Sequence, residues 1–138
     1  MFMQDIMSAT EVRKEWSTWV DRVVREKPLV VKRTHDYFVG ISIEHLKKLL
    51  EPYKFEIEID AEKSGAFVAS LKGFDLVVSG QNKDEVRKAM AHELLEYAQD
   101  YFAEFDLYYK APNRQEHFPY LLKVLLLNDT RELERLIA

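Results

Sequence analysis

The chain has 138 residues, 47% of them hydrophobic and 32% charged, which is the balance of a folded protein rather than a disordered one. Its net charge is −4 and it has no cysteine, which excludes disulfides and thiolate metal sites. Residues 1–5 lack the features of a signal peptide, and no apolar run reaches the roughly 18 residues of a membrane-spanning helix. We therefore expect a cytoplasmic protein.

The region 6–51 predicts a strand, a helix, a hairpin and a second helix. Ser8 and Glu11 have the spacing of a capping box, so the first helix should begin near Ala9 and end before Pro28. Its apolar face consists of Ala9, Val12, Trp16, Trp19, Val20 and Val23. A unit of about fifty residues buries little surface alone, so we expect this face, from Val12 to Val23, to be a dimer interface. The alternative for the two tryptophans is a place in the core.

Two strands are predicted next, at residues 29–34 and 37–41, with a turn at His35-Asp36 between them. Ser42 should cap a short helix that Pro52 stops. The residues of this helix expected to face inward are Leu46, Leu49 and Leu50.

The residues that carry a family resemblance in this region are Ile6, Ser8, Thr10, Val12-Arg13, Lys32-Arg33 and Ser42-Ile43-Glu44. With the order of elements, they make residues 1–52 resemble the dimerisation and DNA-binding domain of the Phd/YefM antitoxins. The resemblance implies a homodimer that binds operator DNA through basic residues, which here are Arg13, Lys14, Lys32 and Arg33. His35 stands where the family has a turn glycine, and Asp36 follows it and would repel phosphate.

Residues 53–105 predict three strands and a long helix. The first strand alternates apolar residues with Glu56, Glu58 and Asp60, and the others are expected at residues 66–72 and 76–78. Asn82 and Glu85 have capping-box spacing at the start of the helix. The apolar stripe of this helix is Val86, Met90, Leu94, Tyr97, Tyr101 and Phe105.

Matches at residues 60–65, 68–70 and 80–86 make this second region resemble the HicB antitoxin fold. The predicted fold class is therefore α+β, with a β-α-β-β-α domain at 1–52 and a HicB-like β-β-β-α domain at 53–110. The HicB fold is related to ribonuclease H, so a degenerate nuclease is an alternative. Its carboxylates would be Glu56, Glu58 and Asp60, but their alternation with apolar residues indicates a solvated strand face.

Residues 111–138 are predicted to form a helical extension. Residues 107–112 look irregular, Asn113 could cap a helix that contains Pro119, and Lys123 is the one polar residue of the run 120–127. Asp129 should cap a terminal helix whose inward residues are Leu133, Leu136 and Ile137. We expect this segment to fold back over the sheet or to pack across a dimer, with a dedicated toxin-binding arm as the alternative.

The two resemblances together imply an antitoxin that represses its own operon and neutralises a toxin, a small ribonuclease of the RelE or HicA kind, without enzymatic activity or a cofactor. Residues 52–138 hold eleven Lys/Arg against sixteen Asp/Glu, a net charge of −5 that suits a basic toxin. The predicted toxin contacts are Glu93, Glu96, Asp100, Leu125, Leu133 and Leu136. A transcriptional regulator that senses a small molecule is a further alternative.

The four histidines lie on four separate predicted elements, and no two have the spacing of zinc ligands on one helix. We therefore predict no metal site, and expect surface or capping roles for His35, His45, His92 and His117.

Overall fold

The computed structural model describes residues 1–137, which form two compact units that divide between Leu49 and Leu50. The elements of the N-terminal unit are β1 (Met7–Ser8), α1 (Ala9–Lys14), α2 (Trp16–Arg25), β2 (Leu29–Arg33), β3 (Asp36–Gly40) and α3 (Ile43–Leu50), the last of which ends on the first residue of the C-terminal unit. The elements of the C-terminal unit are β4 (Ile57–Ala61), β5 (Phe67–Leu71), β6 (Val77–Gly80), α4 (Lys83–Ala103), α5 (Phe105–Lys110), a 3-10 helix (Gln115–His117), α6 (Phe118–Leu125) and α7 (Thr130–Leu136).

The N-terminal unit has a three-stranded sheet with β2 at its centre, parallel to β1 and antiparallel to β3. Leu29 and Val31 alternate along β2 and point to the face that the helices cover. The buried core of this unit is Val12, Trp19, Val23, Leu29 and Val31. On the other side of β2, β3 forms an edge whose side chains from Asp36 to Val39 are exposed.

Four predicted helix caps are confirmed. In each, a side-chain oxygen accepts a hydrogen bond from the backbone N–H three residues later, which satisfies one of the free donors of the first turn. The bonds are Glu11 N to Ser8 Oγ (3.1 Å), His45 N to Ser42 Oγ (3.1 Å), Glu85 N to Asn82 Oδ1 (2.9 Å) and Glu132 N to Asp129 Oδ1 (3.0 Å).

Three details of the N-terminal unit differ from the prediction. The first helix is broken at Glu15, whose backbone is not helical (φ −116°, ψ 36°), although the apolar spacing continues across the break. The hairpin turns at Thr34-His35, because Arg33 pairs with Asp36. Leu49 was predicted to face inward but is 62% exposed. Its neighbour Leu50 is the residue of α3 that is buried.

In the C-terminal unit, β4, β5 and β6 form an antiparallel sheet, and α4 packs against β5 and β6. The helices α6 and α7 fold back onto α4, and an isolated parallel β-bridge joins Ile137 to Phe55. Residues 111–137 therefore fold back as predicted, but they pack mainly on α4 rather than over the sheet, and they share one core with the sheet. The buried residues of that core are Phe55, Ala69, Leu71, Val86, Met90, Ala91, Leu94, Ala98, Tyr101, Leu121, Val124, Leu133 and Ile137.

The apolar run 120–127 lies in and just beyond α6. Its one polar residue, Lys123, has a hydrogen-bond partner in the structure. The Lys123 ammonium donates a hydrogen bond to the backbone carbonyl of Tyr53 at 2.8 Å. Partial burial of this group lowers the pKa of Lys123. The side chain thus ties the segment before β4 to α6.

The segment after α4 was predicted to be irregular, and this prediction is wrong. Residues 105–110 form α5, which follows α4 after a break at Glu104 (φ −124°, ψ 53°). Asn113 does not cap a helix; its φ of 64° places it in a left-handed turn before the 3-10 helix. Pro119 lies in the first turn of α6, where its missing N–H costs no hydrogen bond.

Candidate functional site

The N-terminal unit presents two cations at its first helix. Arg13 and Lys14 are exposed on α1, and neither has an ion-pair partner among residues 1–137. The register of β1 with β2 sets Ser8, the cap of α1, opposite Lys32. The start of α1 therefore lies beside the strand that carries the other two predicted DNA contacts.

Lys32 and Arg33 point to opposite faces of β2, as adjacent residues of a strand do. Arg33 forms an ion pair with Asp36 across the hairpin, with 3.3 Å between Nη2 and Oδ2, and both side chains are about three-quarters exposed (73% and 74%). Lys32 lies over the ring of Tyr37, with 5.6 Å from Nζ to the ring centroid. The four predicted cations are therefore not one patch, and Asp36 partly neutralises one of them.

The five residues predicted for the dimer interface divide into two groups. Val12, Trp19 and Val23 are between 5% and 7% exposed and form the unit's own core. Trp16 is 58% exposed and stacks on Trp19 with ring centroids 5.5 Å apart, and Val20 is half-buried. Of these five side chains, Trp16 and Val20 are the ones that another chain could reach.

An exposed apolar stripe runs along α2 from Trp16 through Val20 to Val24, which is 49% exposed. These residues are spaced four apart and so share one side of the helix. Sequence reasoning missed Val24, although its spacing from Val20 was a signal that could have found it. It also missed the exposed apolar side chains of β3, which are Tyr37, Phe38 and Val39.

An ion-pair network holds the first residues of the chain against the end of α2. The Lys27 ammonium lies 2.6 Å from Asp5 Oδ2, and the Arg22 guanidinium lies 3.8 Å from the same oxygen. The hydrogen bond and positive charge of Lys27 lower the pKa of the Asp5 carboxyl, and Arg22 adds to this effect. Arg22 also pairs with Glu26. These two cations are therefore already engaged within the unit, unlike Arg13 and Lys14.

In the C-terminal unit, the predicted acidic contacts Glu93, Glu96 and Asp100 are exposed on α4. They belong to a stretch, residues 89–109, with five carboxylates and no lysine or arginine. The last turn of α4 has no basic residue to offset the negative end of the helix dipole. Glu96 Oε1 lies 3.6 Å from His92 Nε2, the nearest group of opposite potential charge. The side of α4 that carries Glu93, Glu96 and Asp100 is therefore electronegative.

The predicted apolar toxin contacts do not share one environment. Leu133 is 2% exposed and belongs to the core, so it cannot contact a partner without a rearrangement. Leu125 and Leu136 are half-buried and pack against that core. The amphipathic spacing of α7 correctly predicted that Leu133 faces inward. Its side chain packs in the core and leaves no surface for a toxin to contact.

Comparison with known proteins places the chain in a family. A family model described as PHD-like, "Antitoxin of toxin-antitoxin, RelE / RelB, TA system", matches residues 3–138. The chain belongs to this PHD-like antitoxin family. It is an antitoxin of a toxin–antitoxin system.

The antitoxin is also similar to a solved structure, described as an antitoxin part of a candidate toxin/antitoxin system from Syntrophomonas wolfei subsp. wolfei. The two chains are 44% identical, and their folds agree with a TM-score of 0.92 over 99% of this chain and 97% of the other. No curated protein sequence matches the antitoxin. Both units of the antitoxin therefore recur in the Syntrophomonas protein, as a mixed α+β fold.

His117 was expected to be a surface or capping residue. It is buried, and although it occupies the N-cap position of α6, its side chain makes no capping hydrogen bond. It is 8% exposed; its Nε2 lies 2.7 Å from the carbonyl oxygen of Gly73 and its Nδ1 lies 2.7 Å from the hydroxyl of Tyr97. A carbonyl can only accept, so Nε2 carries the proton and Nδ1 accepts from Tyr97. Burial lowers the pKa of His117, and the charge of Arg114 contributes. Phe74 stacks on the imidazole at 4.3 Å.

His117 thus joins the turn after β5 to α4 and the 3-10 helix of the antitoxin. The guanidinium of Arg114 lies over the ring of Tyr97, with 5.2 Å from Cζ to the ring centroid. The hydroxyl of Tyr101 donates a hydrogen bond to the backbone carbonyl of Arg114. Because every polar atom of His117 has a partner inside the unit, we assign it a structural role. No sequence spacing could have found it, since Gly73 lies 44 residues away.

The carboxylates considered for a nuclease lie in a row along one solvent-exposed strand face of the antitoxin. Glu56, Glu58 and Asp60 are exposed on or beside β4, and Glu56 pairs with Lys72 at 3.4 Å. Within residues 1–137, no three His, Cys, Asp or Glu side chains are placed to hold a metal ion. Nor does this part of the chain contain a helix long and apolar enough to cross a membrane.

Proposed function

We propose that the antitoxin is a homodimer that binds operator DNA through its N-terminal unit and neutralises a RelE-like ribonuclease through its C-terminal unit. The observation that carries this proposal is the family match, which extends over both units and names RelE and RelB in its description. A RelE-like toxin is therefore preferred to a HicA-like one. The match favours neither a metabolite sensor nor a degenerate nuclease.

The exposed apolar stripe of α2 supports dimerisation. A tryptophan and two valines in line on a helix are costly to leave in water, and contiguous apolar surface on a small unit marks an interaction site. The buried core cluster of the N-terminal unit has only five residues, so extra burial at a twofold axis would stabilise it. In this proposal Trp16, Val20 and Val24 of each chain form the interface, and Val12, Trp19 and Val23 support it from the core.

The unpaired cations of α1 support DNA binding. When a lysine or arginine neutralises a DNA phosphate, counterions are released from the DNA, and this release drives association. A side chain that is not already paired with a carboxylate of its own protein is free to do so. Arg13 and Lys14 meet this condition. Arg33 pairs with Asp36 in the free protein, and both side chains are exposed, so it would exchange this partner for a phosphate and gain less. A twofold dimer would present two copies of this set to the two halves of a palindromic operator.

The electronegative side of α4 supports toxin binding. A ribonuclease that binds RNA needs cations near its active site, and an acidic protein surface complements them and occludes the RNA. Glu93, Glu96 and Asp100 are exposed and could contact such a surface directly. Inhibition would then be steric, and the antitoxin would need no chemistry of its own.

Separation-of-function variants test the proposal. The product of the adjoining reading frame is expressed as the toxin, and rescue of growth by each antitoxin variant reports toxin neutralisation. A reporter gene driven by the DNA upstream of the antitoxin reports repression. Glu93→Gln, Glu96→Gln and Asp100→Asn together should impair growth rescue and leave repression intact. Arg13→Ala with Arg33→Ala should do the reverse.

A matched control removes three negative charges elsewhere in the same unit. Glu56→Gln, Glu58→Gln and Asp60→Asn change the exposed face of β4 and should leave both readouts unchanged. The proposal is wrong if the adjoining product does not inhibit growth, or if every variant affects rescue and repression alike.

A further inference from the structure

A groove of about 340 Å³ opens on the C-terminal unit between α4 and the corner where α6 meets α7. Its floor is apolar and is formed by the half-buried Leu95, Leu125 and Leu127, with the buried Leu133 beneath them. Its rim is polar and includes Gln99 on α4 and Thr130 at the start of α7, both of which are exposed. An apolar floor within a polar rim is the arrangement of a protein–protein contact centre.

The groove is not filled by the antitoxin's own side chains. Leu133 closes its base and is buried, but Leu95, Leu125 and Leu127 are only half-buried. Surface of this kind gains free energy when an apolar group from outside covers it. The volume lies at the low end of the range of roughly 300–1,000 Å³ for small-molecule pockets, which leaves room for one or two protruding side chains.

The charge around the groove selects the kind of partner. Leu95 and Gln99 lie on α4 within the stretch 89–109, which has five carboxylates and no lysine or arginine. Glu96 and Asp100 each directly follow one of these two groove residues and are exposed. On the opposite wall Asp129 lines the groove, and the exposed Arg131, which follows Thr130, offsets one of these negative charges. A basic protein surface with an apolar side chain at its centre would satisfy both the floor and the flanking charges.

We infer that this groove receives an apolar side chain from a basic segment of the toxin, and that it is the centre of the toxin interface. The inference rests on the proposed function and adds the location and chemistry of the contact. Leu125, predicted from the sequence as a toxin contact, belongs to the floor; Leu133 supports it from below; Leu136 is not among the lining residues.

Filling the groove tests this inference without removing core atoms. Gln99→Phe and Thr130→Trp each place a large side chain at the rim from opposite walls, starting from exposed residues. Gln81→Phe is the matched control, since Gln81 is also exposed and precedes the same helix at its far end. Circular dichroism checks that each variant is folded.

The probe is the purified product of the adjoining reading frame, and its dissociation constant with each full-length variant is measured by calorimetry. We expect each groove variant to weaken binding by about tenfold or more, and Gln81→Phe to bind like the parent. If the parent binds and both groove variants match it, the groove assignment is overturned while the proposed function stands. If the parent itself does not bind, the proposed function fails and the groove assignment fails with it.

Sedimentation of the same proteins without toxin tests the other possible occupant of the groove, which is a second copy of this chain. The groove variants should sediment like the parent. A groove variant that loses self-association but keeps its toxin affinity would assign the groove to the antitoxin's own dimer and overturn the inference.

Discussion

Gly40 at the end of β3 lies directly against the indole ring of Trp19 on α2. A Cβ atom at position 40 would lie 2.8 Å from Trp19 Cζ2, would overlap Cη2, and would lie 3.3 Å from a methyl group of Val23. Gly40 pairs with Leu29, so the contact occurs where the sheet meets the helix layer. The absence of a side chain at this position allows the largest core residue of the N-terminal unit to pack against the edge strand.

Gly40→Ala should therefore destabilise the N-terminal unit by about 1–3 kcal/mol, the usual cost of overpacking a core. Both tryptophans of the antitoxin lie in this unit, so tryptophan fluorescence during urea unfolding reports on it selectively. Ser17→Ala, an exposed change on α2, is the control and should leave the transition in place. An unchanged midpoint for Gly40→Ala would show that the indole can move aside at little cost.

If the antitoxin is a dimer through the exposed stripe of α2, as proposed, Trp16→Ser should make it monomeric. The change removes the largest exposed side chain of the stripe and leaves the core residue Trp19 in place, so the fold should persist. Sedimentation equilibrium measures the mass, and Trp16→Phe, which keeps an aromatic ring, should remain dimeric. A Trp16→Ser protein that keeps the mass of a dimer would move the interface elsewhere, for example to the edge strand β3.

Local signals made much of the fold predictable. Helix caps depend on a side chain and an amide three residues apart, so Ser8, Ser42, Asn82 and Asp129 could all be found from the sequence. The strands could be predicted from their apolar content and alternation. The packing of α7 against the core could be predicted from its apolar face. In each case the deciding contact lies within one element or follows from its period.

The failures involve contacts that no local pattern encodes. Trp16 and Trp19 share an apolar face by spacing, yet one is exposed and the other buried, because the width of the covered face depends on the sheet beneath it. His117 looked like a surface residue because its partners, Gly73 and Tyr97, are distant in sequence. The ion pair of Arg33 with Asp36 followed from a turn one residue earlier than predicted.

Arg13→Ala with Arg33→Ala should weaken binding to the upstream DNA and reduce its salt dependence. Each lost phosphate contact lowers the slope of log K against log salt by about 0.9. Fluorescence anisotropy at several salt concentrations measures both quantities. Lys83→Ala with Arg131→Ala removes the same charge from the C-terminal unit and serves as the control, and equal effects from the two pairs would indicate a nonspecific charge effect.

Asp36→Asn should have the opposite effect and tighten DNA binding. The substitution frees the Arg33 guanidinium from its partner at 3.3 Å and removes a negative charge that repels phosphate. Because both side chains are mostly exposed, the ion pair itself adds little stability and the fold should be unaffected. The same anisotropy titration gives the result, and an Asp36→Asn protein with unchanged or weaker affinity would remove Arg33 from the interface.

His117 should make the stability of the C-terminal unit depend on pH. Burial lowers its pKa in the folded protein below the ordinary value of 6.5, so in the range between these two pKa values the unfolded chain binds more protons than the folded one. The contribution of His117 is therefore complete above pH 6.5, decreases as the pH falls below it, and levels off below the native pKa. The slope cannot exceed about 1.4 kcal/mol per pH unit for one proton.

Urea unfolding followed by far-ultraviolet circular dichroism, at a series of pH values, measures this for the parent and for His117→Gln. The parent should be the more stable at neutral pH, since its imidazole bonds both Gly73 and Tyr97, and the difference should narrow on acidification. His35→Gln, a change at an exposed turn residue, should follow the parent at every pH. A difference that stays constant across the series would mean that the folded protein accommodates the imidazolium, for instance by rotating the Tyr97 hydroxyl to accept from it.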